Sequence, residues 1–210
     1  MGNRKAGERM AQSTVIPVRE QIADFLRTEI ISGELAPNQK LTEEVLAQRF
    51  GVSRGRIRDV LLELSKEGLL VARANKGTTV NEIASPEMQA LMIKLRHQIE
   101  GFAVKKVSKE RSKEFLDNLE VACETLSQAL QAGDFAEVTK ADIAFHRLIM
   151  LEAGGEDIIT LWQPIIMRMR MNYQRITDPA QSIDEHRAIV EAIKAGDDKA
   201  AVEALKGNIR

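Results

Sequence analysis

The sequence predicts a mainly α protein: an N-terminal winged helix-turn-helix of three helices plus a β-hairpin, followed by an all-α helical-bundle domain. Three observations predict it. Apolar residues recur at helical spacing along most of the chain. Aromatic residues make up only 4% while the hydrophobic content is 44%, carried by Leu, Ile, Ala, Val and Met, which suits packed helices better than a sandwich or barrel. The two β-rich runs, near 69–83, are short and flank a glycine turn.

The first helix begins at Pro17, places Ile22, Phe25, Leu26 and Ile30 on one face, and stops at Gly33 before the turn around Pro37. Thr42 is the expected N-cap of a short second helix, with Glu43 and Glu44 in its acidic first turn and Gly51 closing it after Phe50. Ser53 caps the third, whose apolar face is Ile57, Val60, Leu61 and Leu64 and whose stop is Gly68. Leu69–Arg73, a turn through Asn75, Lys76 and Gly77, and Thr78–Ile83 form the hairpin. Longer amphipathic helices follow near 86–107, 112–132, 135–153, 156–176, 180–195 and from 198 to the end, jointed at Gly133, Gly154–Gly155, Asp178–Pro179 and Gly196. The expected organisation is a flexible tail over 1–16, a winged helix-turn-helix over 17–84, and an all-helical effector-binding and dimerisation domain over 85–210.

The 210 residues suffice for two ordinary domains. A single cysteine, Cys123, rules out an intramolecular disulfide framework and suits a reducing cytoplasm. No apolar run approaches the roughly 20 residues of a membrane span, and Met1 to Ser13 lack the apolar middle of a signal peptide. The expected location is cytoplasmic, with no membrane partner. The net charge of −1 does not advertise nucleic-acid binding, so local clustering has to decide.

That clustering is found at the start of the third helix. Ala47 and Gly51 supply the small residue and the turn that let two helices cross closely. Arg54, Arg56 and Arg58 then fall within five residues. Cations at a helix N-terminus oppose the macrodipole, so three of them there point to an external anion. In a helix-turn-helix this end enters the major groove, where arginine meets phosphates or guanine edges. Ser53, Lys76 and Gly77 join them as candidate DNA-contacting residues.

The segments Gly33-Glu34-Leu35-Ala36-Pro37, Leu41-Thr42-Glu43, Leu46-Ala47, Gly51-Val52-Ser53-Arg54, Ile57-Arg58 and Glu67-Gly68-Leu69-Leu70 closely resemble the GntR family of bacterial regulators. The resemblance implies that Arg54 and Arg58 contact bases or phosphates of double-stranded operator DNA. The family's small-polar and proline positions after the Ser-Arg pair are here Gly55 and Arg56. It also implies a homodimer, since two recognition helices read two half-sites.

In the helical part, Asp142 and His146 are four apart on a face shared with Phe145 and Ile149. His186 lies in the stripe Ile183, Ile189, Val190, Ile193, and Asn208 lies between Leu205 and Ile209. Converging inward polar groups need partners, and these residues leave open whether the partner is a bound cation or a local hydrogen bond. The C-terminal arrangement resembles the FCD-type effector domain of the FadR subfamily. That implies a divalent metal (zinc, nickel or manganese) on Asp142, His146 and His186, with Asn208 where a further histidine is usual, hence a weak or lost ligand. Arg96 and Glu100 form either a surface i,i+4 ion pair or, as the resemblance implies, a cavity-facing Arg96 that meets an effector carboxylate. Trp162, Ile165, Ile166, Met169 and Tyr173 read as core or pocket wall, and the roles of Arg168 and Arg170 stay open.

The function expected is a ligand-responsive repressor, not an enzyme, with a small organic acid as effector. The competing readings are a metal-dependent hydrolase built on the helical domain, a ligand-free dimerising DNA-binding protein, and a metal-independent sensor.

Overall fold

Polar side chains stand where helices begin, and they set most boundaries. Ser53, Ser85, Ser112, Asp134, Asp178 and Asp197 each occupy an N-cap and accept a first-turn backbone N–H. Thr42 holds the N-cap position in an extended conformation, yet its side chain accepts no such bond, so it caps by position only. The computed structural model describes residues 16–73, 77–171 and 178–209. Across them run α1 (Val18–Ser32), β1 (Lys40–Leu41), α2 (Glu43–Phe50), α3 (Arg54–Lys66), β2 (Leu70–Arg73), β3 (Gly77–Val80), α4 (Pro86–Lys109), α5 (Lys113–Ala132), α6 (Phe135–Arg170), α7 (Pro179–Ala195) and α8 (Asp198–Asn208). The expected tail up to residue 15, the hairpin tip with Asn75 and Lys76, and Tyr173 lie outside the described residues.

The sheet is antiparallel with order β1-β3-β2, pairing Lys40 with Thr79 and Leu70 with Val80. Strand β1, only two residues long, was not foreseen. Strand β3 stops at Val80, short of the expected Ile83: the Asn81 side chain donates to the Gly68 carbonyl at 2.9 Å and turns the chain away. Phe25, expected on the inner face of α1, is half exposed. It meets Phe50 edge-on at 5.8 Å, and the Arg49 guanidinium covers both rings at 5.1 and 5.0 Å.

Helix α6 reverses direction at Gly155, whose φ of 58° and ψ of −148° belong to a region essentially closed to side-chain-bearing residues. Its two arms, 135–154 and 156–170, correspond to two of the expected helices. Asp142 and Arg170 would stand about 42 Å apart on a straight helix, yet they are in contact. The arms therefore lie folded against each other. Helix α4 packs on α6 and α8, α5 on α6 and α7, and α7 on α8. Trp162, Phe145, Leu119, Leu126, Ile149 and Ile189 fill the space between them. No described helix is long and apolar enough to cross a membrane.

Candidate nucleic-acid interface and buried polar cluster

The start of α3 is held from one side and open on the other. Ile57, Val60, Leu61 and Leu64 are buried against the rest of the winged helix, and the Ser53 Oγ accepts the Arg56 N–H at 3.4 Å. Arg54, Arg56 and Arg58 remain exposed. Arg58 is not free of partners: its Nε and Nη2 donate to the two oxygens of Glu43 on α2, at 2.8 and 2.9 Å. This bidentate pair holds the Glu43 carboxyl below its ordinary range. Arg54 lies 3.9 Å from Glu43 and 3.7 Å from Glu44. The sequence pointed to an external anion for these cations; in the unbound chain, Glu43 already supplies one for Arg58. Gly77 opens β3 opposite Arg73, while Lys76 lies outside the described residues.

The second constellation is enclosed by α4, both arms of α6, α7 and α8. Arg96 and Glu100 are buried, so the surface ion-pair alternative is corrected: α6 and α8 cover the face of α4 that carries them. Glu100 accepts from Arg96 Nε at 2.6 Å and from Trp162 Nε1 at 2.7 Å. Burial pushes its carboxyl up, but Arg96 and His146 outweigh that and hold it well below the usual carboxylate range. His146 Nδ1 approaches Glu100 to 2.8 Å, off the N–H direction, so this is an ion-pair distance without an aligned hydrogen bond. His146 Nε2 is buried without a hydrogen-bond partner.

Asp142 and His186 complete the group. The ligand-capable atoms of Asp142, His146 and His186 lie within 4.8 Å of one another, as a three-donor metal site requires. His186 Nδ1 lies 2.7 Å from the Ser182 carbonyl, and its Nε2 lies 3.4 Å from Asp142 Oδ1. Burial pushes its pKa down to about 4, partly offset by the Ser182 carbonyl. Asn208 is half-buried, with Nδ2 at 3.4 Å from both nitrogens of His186, so it lies over the ring and does not meet the Nε2 lone pair squarely. The remaining oxygen of Asp142 is held by the guanidinium of Arg170. The donor spacing fits a metal, but the carboxylate it would need is already paired with a cation.

Sequence reasoning did not assign Arg170 or Glu100 these roles. For Arg170 the signal was available: it follows Trp162 and Ile166 by eight and four residues and so shares their inward face. His97, given no role, places Nε2 3.1 Å from the Ile209 carbonyl and ties the chain end to α4.

The two parts of the chain touch through α6. Arg168 Nη1 donates to the Glu82 carbonyl at 2.5 Å, and Gln163 Nε2 to Glu67 at 3.0 Å. Beside these contacts a cleft of about 820 Å³ opens between α1, α3 and α6, lined by seven carboxylates against three cationic side chains.

Comparison with known proteins bears on both constellations. A family profile described as bacterial regulatory proteins, gntR family, matches residues 18–80, and one described as FCD domain matches 91–210. The "Probable D-xylose utilization operon transcriptional repressor" of Paenarthrobacter nicotinovorans is 26% identical, covering 96% of this chain and 88% of its own. The gluconate operon transcriptional repressor of Bacillus licheniformis is 25% identical, covering 90% and 80%. Among solved structures, McbR/YncC of E. coli aligns with a TM-score of 0.78 at 21% identity, over 93% of this chain and 94% of that one. The likeness to the latter is one of fold.

Proposed function

Because the chain belongs to the GntR family of bacterial regulators, with an FCD domain behind its winged helix, we propose that it is a homodimeric repressor that leaves its operator when a small organic acid enters the helical part. The family and its relatives are DNA-binding transcription regulators, not enzymes, which sets aside the hydrolase reading. The observation that carries the proposal is the exposed Arg54, Arg56, Arg58 row on a capped, firmly packed helix start. Such a row enters a major groove as a unit, with Ser53 at its cap and Gly77 of the hairpin as further candidate contacts. Exposed Met88, Leu91, Leu95 and Phe102 run along one side of α4 and support self-association.

An anionic effector is supported by the two buried arginines of the helical part, Arg96 and Arg170. The acid-rich interdomain cleft repels such a ligand. One relative is named for a gluconate operon, which makes sugar acids the first compounds to try. The acid acts by preferring one arrangement of the contacts that α6 makes with Glu82 and Glu67.

A second reading adds a divalent metal on Asp142, His146 and His186, with Asn208 as a weak neutral donor. It is favoured by the partnerless His146 Nε2. Such an ion would serve as a Lewis-acid anchor for the effector carboxylate.

The test is footprinting and fluorescence anisotropy on promoter fragments neighbouring the gene. The expected result is protection of two half-sites about 10 base pairs apart or a multiple of that. Arg54→Ala and Arg58→Ala should abolish it while circular dichroism stays unchanged. Undiminished affinity in both variants would overturn the assignment of α3.

A further inference from the structure

Four full charges are buried together in the helical part: Arg96, Glu100, Asp142 and Arg170 are each at most 6% exposed. They form two pairs, Arg96 with Glu100 along α4 and Arg170 with Asp142 across the arms of α6. Among the described residues these four charges balance with no ion added. Asp142 is the sole carboxylate among the three converging donors. One of its oxygens is held by Arg170, and the other already faces His186. A divalent ion at the centre of these donors needs that carboxylate. It would meet the guanidinium at close range, where little water screens two positive charges. Asn208, beside the face of His186, offers no charge to offset them.

We propose that Arg170 is the resident cation of this cluster: its guanidinium neutralises the Asp142 carboxylate that a divalent metal would need and sets a positive charge beside the place the ion would take, so the sensor works without metal. This rests on the sensor reading above and decides between its two forms. The effector is then recognised without a metal anchor, and Arg170 is the residue that excludes the ion. His146 Nε2, buried without a hydrogen-bond partner, is then a donor or acceptor left for the effector.

The experiment is equilibrium dialysis of chelator-treated protein against Zn²⁺, Ni²⁺ and Mn²⁺ separately, with bound metal counted by elemental mass spectrometry. The wild-type chain should retain less than about a tenth of an equivalent at micromolar free metal. Arg170→Met should take up about one equivalent, lost again on adding His146→Ala. Arg170→Gln, which keeps a donor for Asp142 without the charge, provides the same comparison if the methionine variant does not fold. A wild-type chain that binds one equivalent as tightly as the Arg170 variants overturns the proposal. So does a folded Arg170 variant that gains no metal. A parallel assay measures operator release by sugar acids and hydroxy acids in the presence of chelator. Release only with metal present overturns the proposal and leaves the sensor reading standing. No release under any condition counts against the sensor reading, while metal uptake still decides the role of Arg170.

Discussion

Replacing Glu100 by glutamine removes one charge from a cluster that has none to spare. The new side chain keeps an oxygen for Trp162 Nε1, 2.7 Å away in the parent, so the main loss is the anion facing Arg96. An uncompensated buried cation costs about 3–5 kcal/mol. The same i,i+4 pair on a solvated helix face would be worth only a few tenths of a kcal/mol. Adding Arg96→Met restores neutrality at similar volume, so the double variant should return to within about 2 kcal/mol of the parent. Arg96→Met alone leaves the Glu100 carboxylate unpaired and should cost as much, so the cycle should then show a coupling of about 4 kcal/mol or more between the two sites. Trp162 is the only tryptophan and touches Glu100 directly, so urea denaturation followed by its fluorescence reads the cluster itself. A cost below about 1 kcal/mol for Glu100→Gln, or a double variant as unstable as the sum of the singles, would refute the account of a charge-balanced core.

Two further outcomes follow from the geometry. Gly68 has a φ of +76°, and a Cβ there would lie 2.9 Å from Cγ of Arg168. Gly68→Ala should cost about 1–2 kcal/mol from the left-handed backbone alone, with an unchanged urea midpoint speaking against it. His186 titrates near 4 in the folded chain and near 6.5 when unfolded, so the unfolded state binds more protons between those values. The stability present above pH 6.5 is therefore lost as pH falls toward 4, by roughly 3 kcal/mol for this group. Denaturation at pH 7, 5.5 and 4.5 measures it, and a slope that persists in His186→Asn would assign the loss elsewhere.

What could be read from the sequence was what is local. Apolar spacing broken at Gly133, Gly154–Gly155, Asp178–Pro179 and Gly196 marks helices whatever the rest of the chain does, and the long-helix expectations rested on it. The shared face of Asp142 and His146 follows from a spacing of four. What could not be read were relations that depend on distant elements. The contact of Arg170 with Asp142 exists because Gly155 folds α6 back on itself, and spacing gives no hint of a partner 28 residues away. Burial of Arg96 and Glu100 depends on α6 and α8 closing over α4. Strand β1 has two residues, too few for any periodicity, and forms because β3 offers a free edge. Glu43 could be recognised as a first-turn acid but not as the partner of Arg58, which lies 15 residues on across a turn.

The end of α6 carries Arg168 and Arg170 two residues apart, hence about 200° around the axis and about 3 Å along it. One guanidinium grips Asp142 inside the bundle; the other grips the carbonyl of Glu82, next to the wing. On the sensor reading proposed above, this turn links the helical part to the winged helix, beside the contact of Gln163 with Glu67. On that reading, a twist of this turn that draws one arginine off its partner swings the other as well. Much of the bundle's sequence can then drift without severing communication, so long as these two arginines keep their opposite bearings.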